Sequence, residues 1–108
     1  MTAALVLDGS DLASRDTARK YRELLFEAFK KHQSVEIDVG GVLSMSHGFA
    51  DELFAVSAVM LGIDEFLTRV YIINDHDRRI TRTIAEAIRL RKVGFVNPNV
   101  DATEYDDV

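Results

Sequence analysis

The chain has 108 residues, 29% of them charged, with a formal net charge of −5 at pH 7. A single domain of this size buries roughly 60–70% of its unfolded surface and needs no covalent staple. The absence of cysteine excludes disulfides, thiolate metal sites and a cysteine nucleophile.

The acidic balance also argues against nucleic acid as a partner. No apolar run approaches the roughly 20 residues of a membrane span. The start, Met1-Thr-Ala-Ala-Leu-Val-Leu-Asp8, has no basic lead and its apolar run stops at Asp8. It reads as a first strand over Ala3 to Leu7, not a signal peptide, so a cytoplasmic location is the expectation.

Asp8-Gly9-Ser10 signals a turn. A long helix follows, with Ser14 or Ser10 as its cap and Asp16 in its first turn. Ala18, Tyr21, Leu25, Ala28 and Phe29 share one face at helical spacing, and Lys30-Lys31-His32 gives the last turn the basic character that suits the helix dipole.

Val35 to Val39 reads as a second strand bounded by the Gly40-Gly41 bend. The polar turn Ser46-His47-Gly48 then opens an amphipathic helix, expected to carry Asp51 and Glu52 in its first turn. Phe49, Leu53, Val56 and Met60 form its stripe, which Phe54, Ala58, Val59 and Leu61 widen, and Gly62 stops it. Phe66-Leu67 leads into a third strand from Arg69 to Asn74.

Asp75 or Asp77 caps a last helix expected to run to about Arg91, with Ile80, Ile84, Ala87 and Ile88 facing inward. Six basic residues and one acid, Glu86, lie between Arg78 and Lys92. Val93 to Val96 suggests a short final strand. Residues 1–96 are expected to form one domain, and 97–108, with four acids and no base, a flexible tail.

Helices between strands imply parallel pairing through crossovers. The expected fold class is therefore α/β: a small sheet of three to four or more strands, mainly parallel, with about three helices packed against it. Tyr21, Phe29, Phe49, Leu53, Phe54, Val56, Tyr71, Ile72, Ile80 and Ile84 are its expected core.

The junction from Val35 to Leu53 is the candidate site, because a helix start offers free backbone N–H groups to an anion or to a partner's acceptor. Ser46, His47 and Gly48 serve there either as a simple cap or as a cap that also meets a partner. Asp51 and Glu52 are poor paired catalysts, since neighbouring helix positions diverge by about 100°. Dipole compensation is their ordinary role.

His47 and Asp51, spaced i,i+4, could join His76 and Asp77 around a metal, but histidines near helix starts are usually surface residues. Arg78, Arg82 and Arg89 fall on one helix face. They could contact phosphate or an acidic partner, against the ordinary reading of a solvated face with Arg82 paired to Glu86. Gly40-Gly41 has no following Gly-Lys-Ser/Thr, so it is a bend and not a phosphate loop. No Ser–His–Asp constellation or activated nucleophile can be placed.

Gly41-Val42, Met45-Ser46 and Phe49-Ala-Asp-Glu-Leu-Phe54 together resemble the STAS-like domain of unknown function, whose members are similar in fold to anti-anti-sigma factors. Leu12-Ala-Ser-Arg15 with Ala18, the Ile37-Asp38 strand end, and a strand ending in Asn74 before the Ile80/Ile84/Ile88 helix fit the same pattern. The resemblance covers roughly residues 5–92. It implies a bacterial regulatory, protein-binding module, not an enzyme, with no cofactor.

Such domains dock a partner, commonly an ATPase-type serine kinase or an anti-sigma-like regulator, through the turn and helix after the second strand. Laid over this chain, the partner-binding set is Ser46, His47, Gly48, Phe49, Asp51 and Glu52. The switch serine of anti-anti-sigma factors falls on Gly48, which leaves Ser46 as the nearby hydroxyl open to phosphorylation. A homodimer stays open. The alternative is a small nucleotide- or metal-binding domain or enzyme using His47, Asp51, His76 and nearby arginines.

Overall fold

A computed structural model describes residues 2–96, so the expected tail at 97–108 lies outside the described residues. The elements in chain order are β1 (Thr2–Val6), β2 (Asp11–Leu12), α1 (Arg15–Lys31), β3 (Ser34–Asp38), β4 (Ser44–Met45) and α2 (His47–Ala50). A π-helical turn, Asp51–Ala55, joins α2 to α3 (Val56–Leu61); α4 (Ile63–Arg69), β5 (Val70–Ile73) and α5 (Arg79–Val96) follow. The class is α/β with parallel strands, as the alternation of elements predicts.

The main sheet has three parallel strands in the order β1-β3-β5. Its register aligns Leu5 with Ile37 and Ile72, and Ala4 with Glu36 and Tyr71. Side chains alternate across a strand. Leu5, Val35, Ile37, Val70 and Ile72 therefore face the helices, while Ala4, Val6, Glu36 and Tyr71 share the outer face. Tyr71 is 52% exposed, which corrects its expected place in the core: its strand parity opposes that of Ile72. A separate two-residue bridge pairs Asp11 with Ser44 and Leu12 with Met45. Two-residue strands carry no periodicity that a sequence reading could detect.

The core closes around Leu7, Leu25, Val35, Ile37, Phe49, Leu53 and Phe54, all 1% exposed or less. In α1, Ser14 caps the start by accepting from the Thr17 amide, and Ala18, Leu25 and Phe29 are buried. At the other end of α1, Arg69 donates to the carbonyls of Phe29, His32 and Gln33 at 2.8–2.9 Å and lies over the Phe29 ring. These carbonyls fall in or just beyond the last turn, where helical partners run out.

The helix after the second strand begins at His47, two residues earlier than its apolar stripe suggests. Asp51 and Glu52 therefore lie beyond its first turn, and their expected dipole role is corrected. In the π turn the Val56 amide donates to the Asp51 carbonyl, five residues back. The wider turn shifts the phase of everything after it. Burial consequently passes through Ser57 and Ala58; Val56 is half-buried and Met60 is 63% exposed.

Gly62, at φ 103°, ends this helix in a conformation that suits glycine. Two further expectations are corrected. Ile63–Arg69 is a helix, α4, so the third strand starts only at Val70. Residues 93–96 continue α5 and form no final strand; Gly94 is carried within the helix at a cost of about 1 kcal/mol relative to alanine. Asp75 and Asp77 both serve the start of α5: Asp75 accepts from the Thr81 amide and hydroxyl, and Asp77 from the Arg79 amide.

Candidate docking site at the Ser46–Gly48 turn

The β2–β4 bridge sets the position of the turn. Ser10 O accepts from the Leu43 and Ser44 amides, Leu12 O accepts from the Ser46 amide at 2.8 Å, and Ser44 Oγ donates to Asp11 at 2.7 Å. The Ser46 hydroxyl is used in both directions. It accepts from the Phe49 amide at 3.0 Å, which caps α2, and donates to Ala13 O at 3.1 Å. The turn is thus held to the segment leading into α1. His47 is exposed, and Ser46 and Gly48 are half-buried.

Phe49 is fully buried with its ring edge-on to Tyr21, 6.2 Å between centroids. The Tyr21 hydroxyl in turn accepts from the Asp8 amide and donates to the Asp8 carbonyl. The expectation that Phe49 meets a partner is therefore corrected: its ring anchors the turn to the core.

Asp51 is 5% exposed. Arg91 binds both of its carboxylate oxygens at 2.7 Å, and Arg15 adds a bond of 2.9 Å to one of them. The same Arg15 nitrogen reaches Glu52 at 3.1 Å. Arg22 donates to the Glu52 carboxylate at 2.6 Å and to its carbonyl at 2.7 Å, and Arg19 lies 3.7 Å from the carboxylate. Adjacent carboxylates that diverge in direction thus share one guanidinium and recruit three others.

Burial pushes the Asp51 carboxyl up, but the hydrogen bonds from Arg91 and Arg15 outweigh it and hold the group below the usual carboxylate range. The Arg22 hydrogen bond does the same for Glu52. Both acids stay ionised and fully engaged. Asp51 is an internal fastener, not a surface contact.

A sequence reading misses these four arginines as site residues. The signal existed: Arg15, Arg19 and Arg22 recur at i, i+4 and i+7 on one face of α1, and Arg91 falls four residues after Ala87, on the buried stripe of α5.

Of the other candidates, only Arg89 comes near the turn, through its partner Glu86, whose carboxyl is lowered chiefly by Arg89 and in smaller part by His47. His76 and Asp77 are exposed in the loop after β5, and no group of three or more His, Cys, Asp or Glu residues among those described could hold a metal. With Asp51 saturated by arginines, the ligand set of the alternative reading lacks its central carboxylate. Glu86 pairs with Arg89 at i,i+3, correcting the expected Arg82 pair; Arg82 instead reaches the Asp77 carbonyl at 3.4 Å. Arg78, at φ 60°, precedes α5, and its carbonyl accepts from the Arg82 amide. An open depression of about 470 Å3 lies at the C-terminal end of α1, beside Phe29, His32, Glu65 and Arg69. Its Arg69 is already committed to main-chain carbonyls.

The family model for the STAS-like domain of unknown function (DUF4325) matches residues 18–78, more than half of the chain, and the protein belongs to that family. No curated protein and no solved structure matched the chain. Among the described residues, no helix is long and apolar enough to cross a membrane.

Proposed function

We propose that the protein is a non-enzymatic regulatory module that docks another protein through the Ser46–Gly48 turn and the first turn of α1 beside it. One observation carries the reading. A half-buried turn with His47 open to solvent is fixed on three sides, by the Ser46 hydroxyl on Ala13, by the buried Phe49 ring, and by the arginine–carboxylate network beneath it. A surface fixed before binding loses little freedom on association. Asp51 and Glu52 are both held by arginines, so neither carboxylate is free to act as a general base.

The partner in this reading is of the ATPase-type serine kinase or anti-sigma-like class, in a bacterial cytoplasm, as the resemblance of the turn to that of anti-anti-sigma factors implies. Gly48 carries no hydroxyl, so docking on this chain is governed by concentration unless Ser46 is modified. Phosphorylation of Ser46 would remove the hydroxyl proton that bonds Ala13 and place charge on the turn.

The test is affinity capture from the native cell, followed by calorimetry with the purified partner and the Ser46→Asp variant. Aspartate keeps the N-cap. The expected result is a roughly tenfold or greater loss of affinity with the chain still folded, its stability lowered only by about the 1 kcal/mol of the lost Ala13 bond. Unchanged affinity, or saturable stabilisation of the chain by a nucleotide or divalent metal, would contradict the reading.

A further inference from the structure

Arg15 has an unusual posture. One terminal nitrogen is spent on Asp51 and Glu52, at 2.9 and 3.1 Å. The rest of the guanidinium lies across Gly48: a Cβ built there would sit 3.4 Å from Nε and 3.7 Å from Cζ and the second terminal nitrogen. Among the described residues nothing accepts from that Nε–NH2 edge, and the side chain is 45% exposed. A side chain at Gly48 would pack against this part of the guanidinium at ordinary contact distance. Gly48 does not have a positive φ, so its backbone does not require glycine.

An Arg edge of this kind presents two parallel N–H donors, spaced to match the two oxygens of a carboxylate. Its orientation is set in advance by the Asp51 and Glu52 anchors, so little rotamer freedom remains to be lost. Around it, Arg15, Arg19, Arg22 and Arg91 share the three carboxylates of Asp16, Asp51 and Glu52, which leaves one positive charge in excess. Arg19 and Arg91 are about half exposed. This excess stands out on a chain of net charge −5.

We infer that the Arg15 edge above Gly48 reads a carboxylate on an acidic segment of the protein partner. This rests on the docking reading above and names the chemistry of the surface that would meet the turn. The cations on either side attract the acidic segment, and the bidentate pair fixes its register.

The test uses the full chain labelled with nitrogen-15, titrated with a synthetic hexaglutamate peptide and, as control, hexaglutamine. Saturable shifts are expected at the Arg15 Nε–H and the Gly48 amide with hexaglutamate alone. Arg15→Lys keeps the charge but loses the paired donors, and Gly48→Leu covers the edge; each should weaken the response roughly tenfold. Equal shifts at Arg78, Arg79 and Arg82 would reduce the effect to general screening and overturn the inference, as would no saturable shift at Arg15.

If Asp101, Glu104, Asp106 and Asp107 changed together to Asn move the Arg15 signal without peptide, the chain's own acids hold the edge and the partner assignment fails. The two readings fail separately. A captured partner that tolerates Arg15→Lys but not Ser46→Asp leaves docking intact and removes carboxylate reading. A partner indifferent to both removes docking itself.

Discussion

Arg91, near the end of α5, grips both oxygens of Asp51 in the π turn at 2.7 Å, and Arg15 from the start of α1 binds one of the same oxygens. Three elements remote in sequence meet on one buried carboxylate. The last helix is thereby fastened to the base of the docking turn, and removing either partner should loosen both.

Arg91→Ala should cost about 1.5–3 kcal/mol, since it deletes a two-point bond to a charged group while Arg15 remains to hold Asp51. Asp51→Ala should cost more, about 3 kcal/mol, because it removes the only buried member of the cluster. Chemical denaturation of both variants checks the order. Equal and negligible losses would show that the cluster is ornamental to stability.

The pH dependence follows from the direction of the Asp51 shift. Its folded pKa is depressed, so its contribution is fully present above the unfolded value of about 3.9 and is lost as pH falls through the lower folded value. Glu52 acts in the same sense. The stability gap between the native chain and Asp51→Asn should be constant from neutral pH to about pH 5 and close in stronger acid. Thermal midpoints across that range measure it; a gap that widened in acid would reverse the sign.

Phe49→Ala should destabilise by about 3–5 kcal/mol, since the ring is fully buried against Tyr21. An unchanged midpoint would return Phe49 to the surface and to the list of partner contacts.

Gly48→Ala is expected to act in the opposite direction. Gly48 lies inside α2 without positive φ, and the added methyl meets Arg15 at 3.4 Å, an ordinary contact. Alanine should stabilise by about 0.5–1 kcal/mol. A loss of stability would mean that Arg15 cannot yield even a few tenths of an ångström.

Much of the fold was legible because it obeys simple periods. The apolar runs at β1, β3 and β5, the Ser14 cap and the Gly62 stop all follow local rules. The departures have local causes too. The π turn adds a residue that no 3.6-residue stripe reveals, which moved burial from Met60 to Ser57, while Ala58 is buried as its place on the widened face predicts. Tyr71 has the composition of a core residue but the parity of the open face.

At the site, the turn itself could be read from Ser46, His47 and Gly48, whereas the network under it could not. Asp51 and Glu52 look like dipole acids until α1 and α5 are brought beside them. The spacing of Arg15, Arg19 and Arg22 and the place of Arg91 on the α5 stripe mark the arginines, but only tertiary contact pairs them with Asp51 and Glu52.

The central claim is that a partner sits on the Ser46–Gly48 turn and the arginine-bearing start of α1. Amide hydrogen exchange of the full chain, alone and with its captured partner, tests it most directly. The account predicts protection concentrated over residues 15–19 and 46–50. Protection confined to the open sheet face around Val6 and Tyr71, with the turn unchanged, would contradict it.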